Sequence, residues 1–352
     1  MSVVGARPQF VKLAPVAHAL KAAGHDHIIV HTGQHYDPML SDVFFRDLGI
    51  PEPDAHLGVG SGSHGVQTGA MLAQMDEVLE RFQPDCVLVY GDTNSTLAAA
   101  VSAVKLHFPV AHLEAGLRSF NRAMPEEHNR VLTDHAADLC LAPTVVAMQH
   151  LANEGLADRS VLVGDVMTDV LFQVRDRVLS GEMSNPLASI EAPEGYYVAT
   201  IHRAENTNDP NRLREVVGSL GSADKPVILL AHPRVRSKAE EHGISLDVGS
   251  LVTRDPLAYP ELIAAVLGSS GVVTDSGGLQ KEAFLLRVPC TTVRHETEWV
   301  ETVELGWNVL ANTPTEIASA LTRAAPTATG AAPYGNGRAA EATVEALADF
   351  GA

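Results

Sequence analysis

Short apolar runs alternate with longer amphipathic stretches along nearly the whole chain, and this alternation constrains the fold more than any other feature. It is the mark of βα units and a parallel sheet. Candidate strands are Ser2–Val4, His27–His31, Cys86–Tyr90, Val110–Leu113, Leu139–Ala142 and Ser160–Val163 in the first half. Gly195–Ile201, Val227–Ala231, Gly271–Thr274 and Cys290–Val293 follow in the second. Helical patterns lie between them, among them Val11–Ala23, Val66–Phe82, Ser95–His107, Glu126–His135 and Leu279–Leu286. The first strand has three or four residues ahead of Gly5, where a central parallel strand usually has about five or six. The expectation is that the natural chain starts upstream.

A length of 352 residues predicts about two domains. The chain turns polar and turn-rich over residues 179–193, and the cleanest cut falls near Val163–Thr168. The expected organisation is therefore an α/β chain of two doubly wound, Rossmann-like domains, 1–166 and 167–332. A last helical segment, 333–352, is expected to return to the first domain.

Charge narrows the function classes. With 43 acidic and 25 basic residues the net charge is −18, which repels phosphate polymers and anionic lipids. No nucleic-acid or membrane partner is expected. Only 6 of the basic residues are Lys and 19 are Arg, which fits either a salt-rich cytosol or a high-GC genome. No basic-then-apolar leader opens the chain, and its three cysteines are far apart. Both point to a cytoplasmic protein with reduced thiols. The 16 His include His25/His27 and His31/His35, but no converging Cys or carboxylate set accompanies them, so no metal is expected. The stretch Gly60–Gly65 matches the GxGxxG dinucleotide fingerprint, yet Pro53–Leu57 before it is not a convincing buried strand. No cofactor is expected.

In open α/β sheets ligands sit beyond the carboxyl ends of the strands, so the residues at each strand tip carry the functional reading. Gly5 and Arg7 follow the first strand, with Lys12 on the helix after it, a pair of cations suited to an anion. Asp92 sits behind Gly91 at the tip of the third strand, where it is either functional or simply the cap of the next helix. Glu114 ends Val110–Leu113, an otherwise apolar run in which a carboxylate is hard to explain as packing. Of Glu126 and Glu127, one fits a purely structural role in the first turn of a helix. His202 and Arg203 follow Val198–Ile201, and His232 follows Val227–Ala231. The strongest local signal is a strand ending in Thr274, then Asp275–Ser276–Gly277–Gly278 and a helix. Bare amides at such a helix start suit a diphosphate, and Glu282 one turn on can accept hydrogen bonds from a ribose diol.

The strings GARPQFVKLAP, HTGQHYD, VYGDTNSTLA, HLEAGLRSF, MPEEHNR, TIHRAEN, AHPR, TDSGGLQKEA and PYGNG occur in this order across nearly the whole chain. Together they closely resemble the non-hydrolysing UDP-N-acetylglucosamine 2-epimerase family. The resemblance implies two Rossmann-like domains in the glycosyltransferase-B arrangement, an active site in the interdomain cleft and a homodimer. It implies catalytic roles for Asp92, Glu114, Glu126 and His202. It further implies that the UDP-sugar is held by Arg7, Lys12, Arg203, Ser276, Gly277, Gly278 and Glu282, and an activator site near Gln34, Gln67 and His232, with Arg203 again at its edge. The implied reaction is reversible C2 epimerisation of UDP-N-acetylglucosamine to UDP-N-acetylmannosamine, an isomerase step that feeds polysaccharide synthesis. It would run by loss of UDP, a 2-acetamidoglucal intermediate, and re-addition.

Two departures from the family pattern matter. Where members often carry Thr-Glu-Arg-Pro-Glu, this chain has Thr297–Glu298–Trp299–Val300–Glu301, with Arg294 a substitute for the absent Arg. The Trp form resembles the branch acting on UDP-2,3-diacetamido-2,3-dideoxy-glucuronate, which makes that sugar the alternative substrate. A basic residue usual before Gln67 is Val66 here, which bears on activation. A glycosyltransferase of the same architecture and a nucleotide-sugar sensor are the other readings.

Overall fold

The computed structural model describes residues 1–34, 49–190, 192, 195–327 and 330–351, and of Arg7 the backbone only. His35 and the rest of its motif, 35–37, lie outside the described residues. The chain forms two compact units, Met1–Val170 with Ala332–Ala352, and Leu171–Ala331.

Among the described residues, the first unit holds a seven-stranded sheet. Its strands are β1 (Ser2–Val4), β2 (Ile29–His31), β3 (Ala55–His56), β4 (Val87–Tyr90), β5 (Val110–Leu113), β6 (Leu139–Ala142) and β7 (Ser160–Leu162). All pair in parallel, in the order β3-β2-β1-β4-β5-β6-β7. The order reverses at β1, with Val3 opposite Val30 on one side and Val89 on the other. Strands β1, β4, β5 and β6 are buried along their whole length, which is why they read as unbroken apolar runs. The three-residue β1 is short, but helices cover it on both faces.

On one face lie the helices His64–Phe82 and Asn94–Lys105, which pack Met71, Met75 and Leu79 against Ala99, Ala100 and Ala103. The small residues of the second helix let the two approach closely over the sheet. The other face is covered by Phe10, Leu13 and Val16 of the helix Arg7–Ala22, with Ala339, Ala340 and Val344 of the last helix. That last helix spans Ala339–Phe350, so Pro333–Arg338 precedes it as non-helical chain.

Its start is held by a residue far away in sequence. Arg338, at the N-cap, makes no side-chain capping bond. The Asp169 carboxylate instead accepts from the amides of Ala339 (3.0 Å) and Ala340 (2.7 Å). It thereby satisfies two of the donors that a helix start leaves unpaired.

The second unit repeats the plan. Among its described residues the strands β8 (Tyr197–Thr200), β9 (Val227–Leu230), β10 (Leu251–Arg254), β11 (Gly271–Thr274), β12 (Cys290–Thr292) and β13 (Asn308–Leu310) are all parallel, in the order β10-β9-β8-β11-β12-β13. Its core joins Val216, Val217 and Leu220 of the helix Pro210–Gly221 to Val273, Ile317 and Leu321. The fold class expected from the sequence, two Rossmann-like α/β domains, is the observed one. The GxGxxG stretch follows the two-residue, solvent-facing β3, and a Cβ at Gly60 or Gly65 would meet nothing within 4 Å. Those glycines lack the tight helix–strand contact that the fingerprint's glycines serve.

Replacing Asp169 by Ala would leave two buried amides without an acceptor. The expected outcome in urea unfolding is a loss of about 2 kcal/mol, within the range for unsatisfied buried donors. An unchanged midpoint would mean that the apolar face alone holds the last helix.

Candidate active site

In the first unit the tips of β1, β4 and β5 lie side by side, and each turns sharply. Gly5 ends β1 where a Cβ would fall 1.9 Å from Thr32 Oγ1 and 2.4 Å from Ser95 Oγ, so only glycine fits. The side chain of Gln9 accepts from the amides of Gly5 (2.8 Å) and Ala6 (3.0 Å) and starts the helix that carries Lys12. Lys12 Nζ forms an ion pair with Glu114 Oε2, both side chains being nearly buried. Burial opposes the charge on Lys12, but Glu114 beside it, with Asp165 and Asp92 further off, holds its pKa above the ordinary lysine value.

Glu114 occupies a left-handed backbone conformation, φ +72°, unusual for a residue with a side chain. Its amide and that of Ala115 both donate to Leu141 O (3.1 Å each), which holds the turn. Strain of this kind persists only where the surroundings enforce it, and it concentrates at functional sites. Gly91, at φ +62°, sits directly beneath: a Cβ there would lie 3.1 Å from Glu114 Oε2 and 3.4 Å from Lys12 Nζ. The glycine turn therefore brings Lys12 and Glu114 close to the base of Asp92.

Asp92 is not the helix cap. That role belongs to Thr93, whose hydroxyl accepts from the Thr96 amide at 3.3 Å. The Asp92 carboxylate instead pairs with Arg130, and its carbonyl accepts from Asn129 Nδ2 at 2.9 Å. Arg130 also reaches Glu127 at 3.0 Å. Glu127 is buried and accepts from the Ser119 amide (2.9 Å), the Ser119 hydroxyl (2.7 Å) and the Phe120 amide (2.8 Å). Burial raises its pKa, but these donors and Arg130 outweigh it and keep the group below the usual carboxylate range. Glu127 is thus the structural member of the pair, and Glu126 is exposed.

Sequence reasoning left Asn129 and Arg130 without a role. The available signal was their spacing, since three and four residues after Glu126 return to the same helix face. Gln34 and Gln67 belong to a neighbouring polar cluster. Gln34 Oε1 accepts from the Ser95 amide (3.0 Å) and hydroxyl (2.7 Å), while Gln67 Oε1 accepts from Asn94 Nδ2 (2.8 Å). Arg7 opens its helix, but its side chain is outside what is described.

In the second unit a buried carboxylate organises the strand tips. Asp275 accepts from the amides of His202 (3.1 Å) and Arg203 (2.9 Å), from Asn206 Nδ2 (3.0 Å), and faces His202 Nδ1 at 3.0 Å. Burial pushes its pKa up, but hydrogen bonds from His202, Asn206 and Arg203 prevail and hold it below the ordinary value. With Nδ1 on Asp275, the Nε2 nitrogen of half-buried His202 is left to face other partners. The His232 ring lies 5.7 Å from that of His202. Asp275 is the residue of this cluster that sequence reasoning passed over.

The helix Gly277–Leu285 begins at Ser276, with Gly278 open: a Cβ there would meet nothing within 4 Å. Glu282 is raised in pKa by burial, against the opposing effects of Lys281 and a hydrogen bond with Tyr259. Arg294 is buried and holds Glu298 Oε2 at 2.8 Å, and that carboxylate in turn leans on Gly277. Trp299 stacks on Lys281, with Nζ 4.7 Å from the ring centre. The loop between them is pinned by Thr297, whose hydroxyl donates to Gln280 Oε1 at 2.6 Å. Among the described residues no group of His, Cys, Asp and Glu is arranged to hold a metal ion.

The first unit thus presents two carboxylates at adjacent strand tips, each beside a cation, and the second presents a helix start at Ser276 with Gly278 open. A family profile described as UDP-N-acetylglucosamine 2-epimerase matches residues 18–348. The chain is 48% identical to UDP-2,3-diacetamido-2,3-dideoxy-D-glucuronate 2-epimerase of Pseudomonas aeruginosa, covering 88% of this chain and 87% of the relative. It is 40% identical, with the same coverage of both, to UDP-N-acetylglucosamine 2-epimerase of Methanocaldococcus jannaschii. A solved structure of the M. jannaschii enzyme superposes with a TM-score of 0.86 at 36% identity over 99% of both chains. A second, in complex with UDP-GlcNAc and UDP, gives a TM-score of 0.76. The chain belongs to the UDP-N-acetylglucosamine 2-epimerase family.

Proposed function

We propose that the protein interconverts UDP-N-acetylglucosamine and UDP-N-acetylmannosamine by elimination and re-addition of UDP. The observation that carries this reading is the pair of carboxylates, Asp92 and Glu114, held at neighbouring strand tips by Arg130 and Lys12. No carbonyl acidifies C2 of an N-acetylhexosamine, so inversion there begins elsewhere. UDP departs from C1 with the bonding pair, the C2 proton passes to a base, and the C2–H electrons become the C1=C2 bond of a 2-acetamidoglucal. Re-addition of UDP at C1, with protonation of C2 from the opposite face, yields the epimer. A base and an acid are needed near the two faces, and Asp92, Glu114 and Glu126 are the candidates, with His202 assisting departure of the nucleotide.

The leaving group needs donors aimed at its developing charge. Ser276, Gly277, Gly278 and Arg203 serve the diphosphate in this reading, and Glu282 the ribose. Arg7 adds positive charge. Lys12, already paired with Glu114, has the further task of holding that carboxylate in place. Arg294, occupied by Glu298, serves as a support for the Gly277 turn rather than as a free phosphate ligand. Gln34, Gln67 and His232 remain the candidates for an activator site.

A second reading is favoured by Trp299 and by the P. aeruginosa relative: the same chemistry on UDP-2,3-diacetamido-2,3-dideoxy-glucuronate. We further propose a cytoplasmic homodimer, on the family resemblance. No helix among the described residues is long and apolar enough to cross a membrane.

Asp92→Asn and Glu114→Gln are each expected to lower kcat by about 10³-fold, the scale of a lost acid–base group, with UDP affinity measured by calorimetry essentially unchanged. Full turnover in either variant would refute the assignment. Proton NMR in D2O with both UDP-sugars in parallel should show the epimer of the true substrate carrying deuterium at C2, with no acceptor present. Free N-acetylmannosamine with UDP would indicate a hydrolysing enzyme instead. Sedimentation equilibrium should give twice the chain mass, and a monomer at micromolar concentration would sink the dimer.

A further inference from the structure

The turns that carry Asp92 and Glu114 are tied together by a buried ion cluster that the reaction itself does not use. His112 lies on β5 two residues before Glu114, with no exposed side-chain surface. Its Nδ1 is 2.6 Å from Asp134 Oδ1 and its Nε2 is 2.7 Å from the carbonyl oxygen of Gly91. The carbonyl can only accept. Asp134 is held ionised by Arg118 Nη1 at 2.7 Å and the Gly116 amide at 3.0 Å, both on its other oxygen, so it too can only accept. Both ring nitrogens therefore face oxygens that can only accept, and these two contacts fix the ring between Asp134 and Gly91.

The connectivity gives this cluster a purpose. The Gly91 carbonyl belongs to the peptide bond that leads into Asp92. The Gly116 amide and Arg118 belong to the loop that leads out of Glu114. Arg118 is itself anchored by Glu154, at 2.8 and 2.7 Å. One buried carboxylate thus grips the Glu114 loop directly and the Asp92 turn through His112.

We propose that the His112–Asp134 pair is a positioning device that sets the spacing of Asp92 and Glu114, a role resting on those two being the acid–base carboxylates. His112 touches neither group's carboxylate, so its part is orientation and not proton transfer. The decisive contact is that of Nε2 with the Gly91 carbonyl, because it is where this cluster meets the Asp92 turn.

Two substitutions separate position from stability. Gln places its amide nitrogen where Nε2 was, and Asn places it where Nδ1 was. His112→Asn keeps a donor for Asp134 and loses the Gly91 contact. It is expected to lower kcat by about 10²-fold, the scale of a misplaced catalytic group, with KM and UDP affinity within about threefold of the parent on the same grounds. His112→Gln keeps the Gly91 donor but abandons Asp134. It should be the less stable of the two on thermal unfolding, yet recover most of the turnover lost in His112→Asn. Activity that follows stability, or parental kcat in His112→Asn, would overturn the proposal. Asp92→Asn run alongside keeps the two readings apart, since full turnover there indicts the acid–base assignment and not the positioning role.

Discussion

A parallel strand buried on both faces can present polar chemistry only at its end. In both units the central strands are largely apolar, with His112 on β5 an exception, so most of the candidate site side chains fall at a tip or in the first turns of the helix that follows. Parallel pairing then puts all the tips of one sheet on one edge, and the reversal of strand order at β1 and at β8 opens space beside them. Residues far apart in the chain become neighbours through register alone. Val89 pairs near His112 and Tyr90 near Leu113, and this brings Asp92 and Glu114 to adjacent positions.

Tips are also where backbone amides run out of partners, and the chain answers with buried carboxylates. Asp275 gathers two amides and two side-chain donors at the end of β8. Glu127 gathers two amides and a hydroxyl from the Ser119–Phe120 turn. Asp134 and Asp169 do the same for Gly116 and for the last helix. Each group would be unfavourable alone in an apolar interior, but Asp134, Glu127 and Asp275 become rigid hubs because three or four donors converge on each. The depressed pKa of Asp275, Glu127 and Asp134 is the same fact seen from the proton's side. Their contribution to stability is therefore present at neutral pH and is lost as pH falls below the ordinary carboxylate range.

This division of labour explains what could be read from residues and what could not. Central strands and their tip residues were legible because burial on two faces leaves an unmistakable apolar run. The edge strands β3, β10 and β13 were not, since β3 has two half-wet residues and β10 is only partly buried. Gly91 announced a tight turn, but nothing local announced which of Glu126 and Glu127 would be a hub, because the answer depends on Ser119 folding back onto it. His112 was hidden for the opposite reason. It sits inside a strand-like run, where a lone histidine reads as packing, and its partners Gly91 and Asp134 lie about twenty residues away on either side.

Net charge illustrates the same contrast between averages and sites. A chain at −18 with only 6 lysines would seem a poor host for a diphosphate. Yet two of those lysines are withdrawn from the surface: Lys12 pairs with Glu114, and Lys281 lies buried against Trp299. Arg118 and Arg130 are likewise committed to internal carboxylates. These cations are committed to contacts within each unit, while charge on the exposed faces is screened by water and salt over about 10 Å. A nucleotide approaching the strand tips meets amides, histidines and paired cations at closer range than that. Net charge thus bears on polymers of phosphate, while the proposed binding of a single nucleotide rests on the residues at the tips.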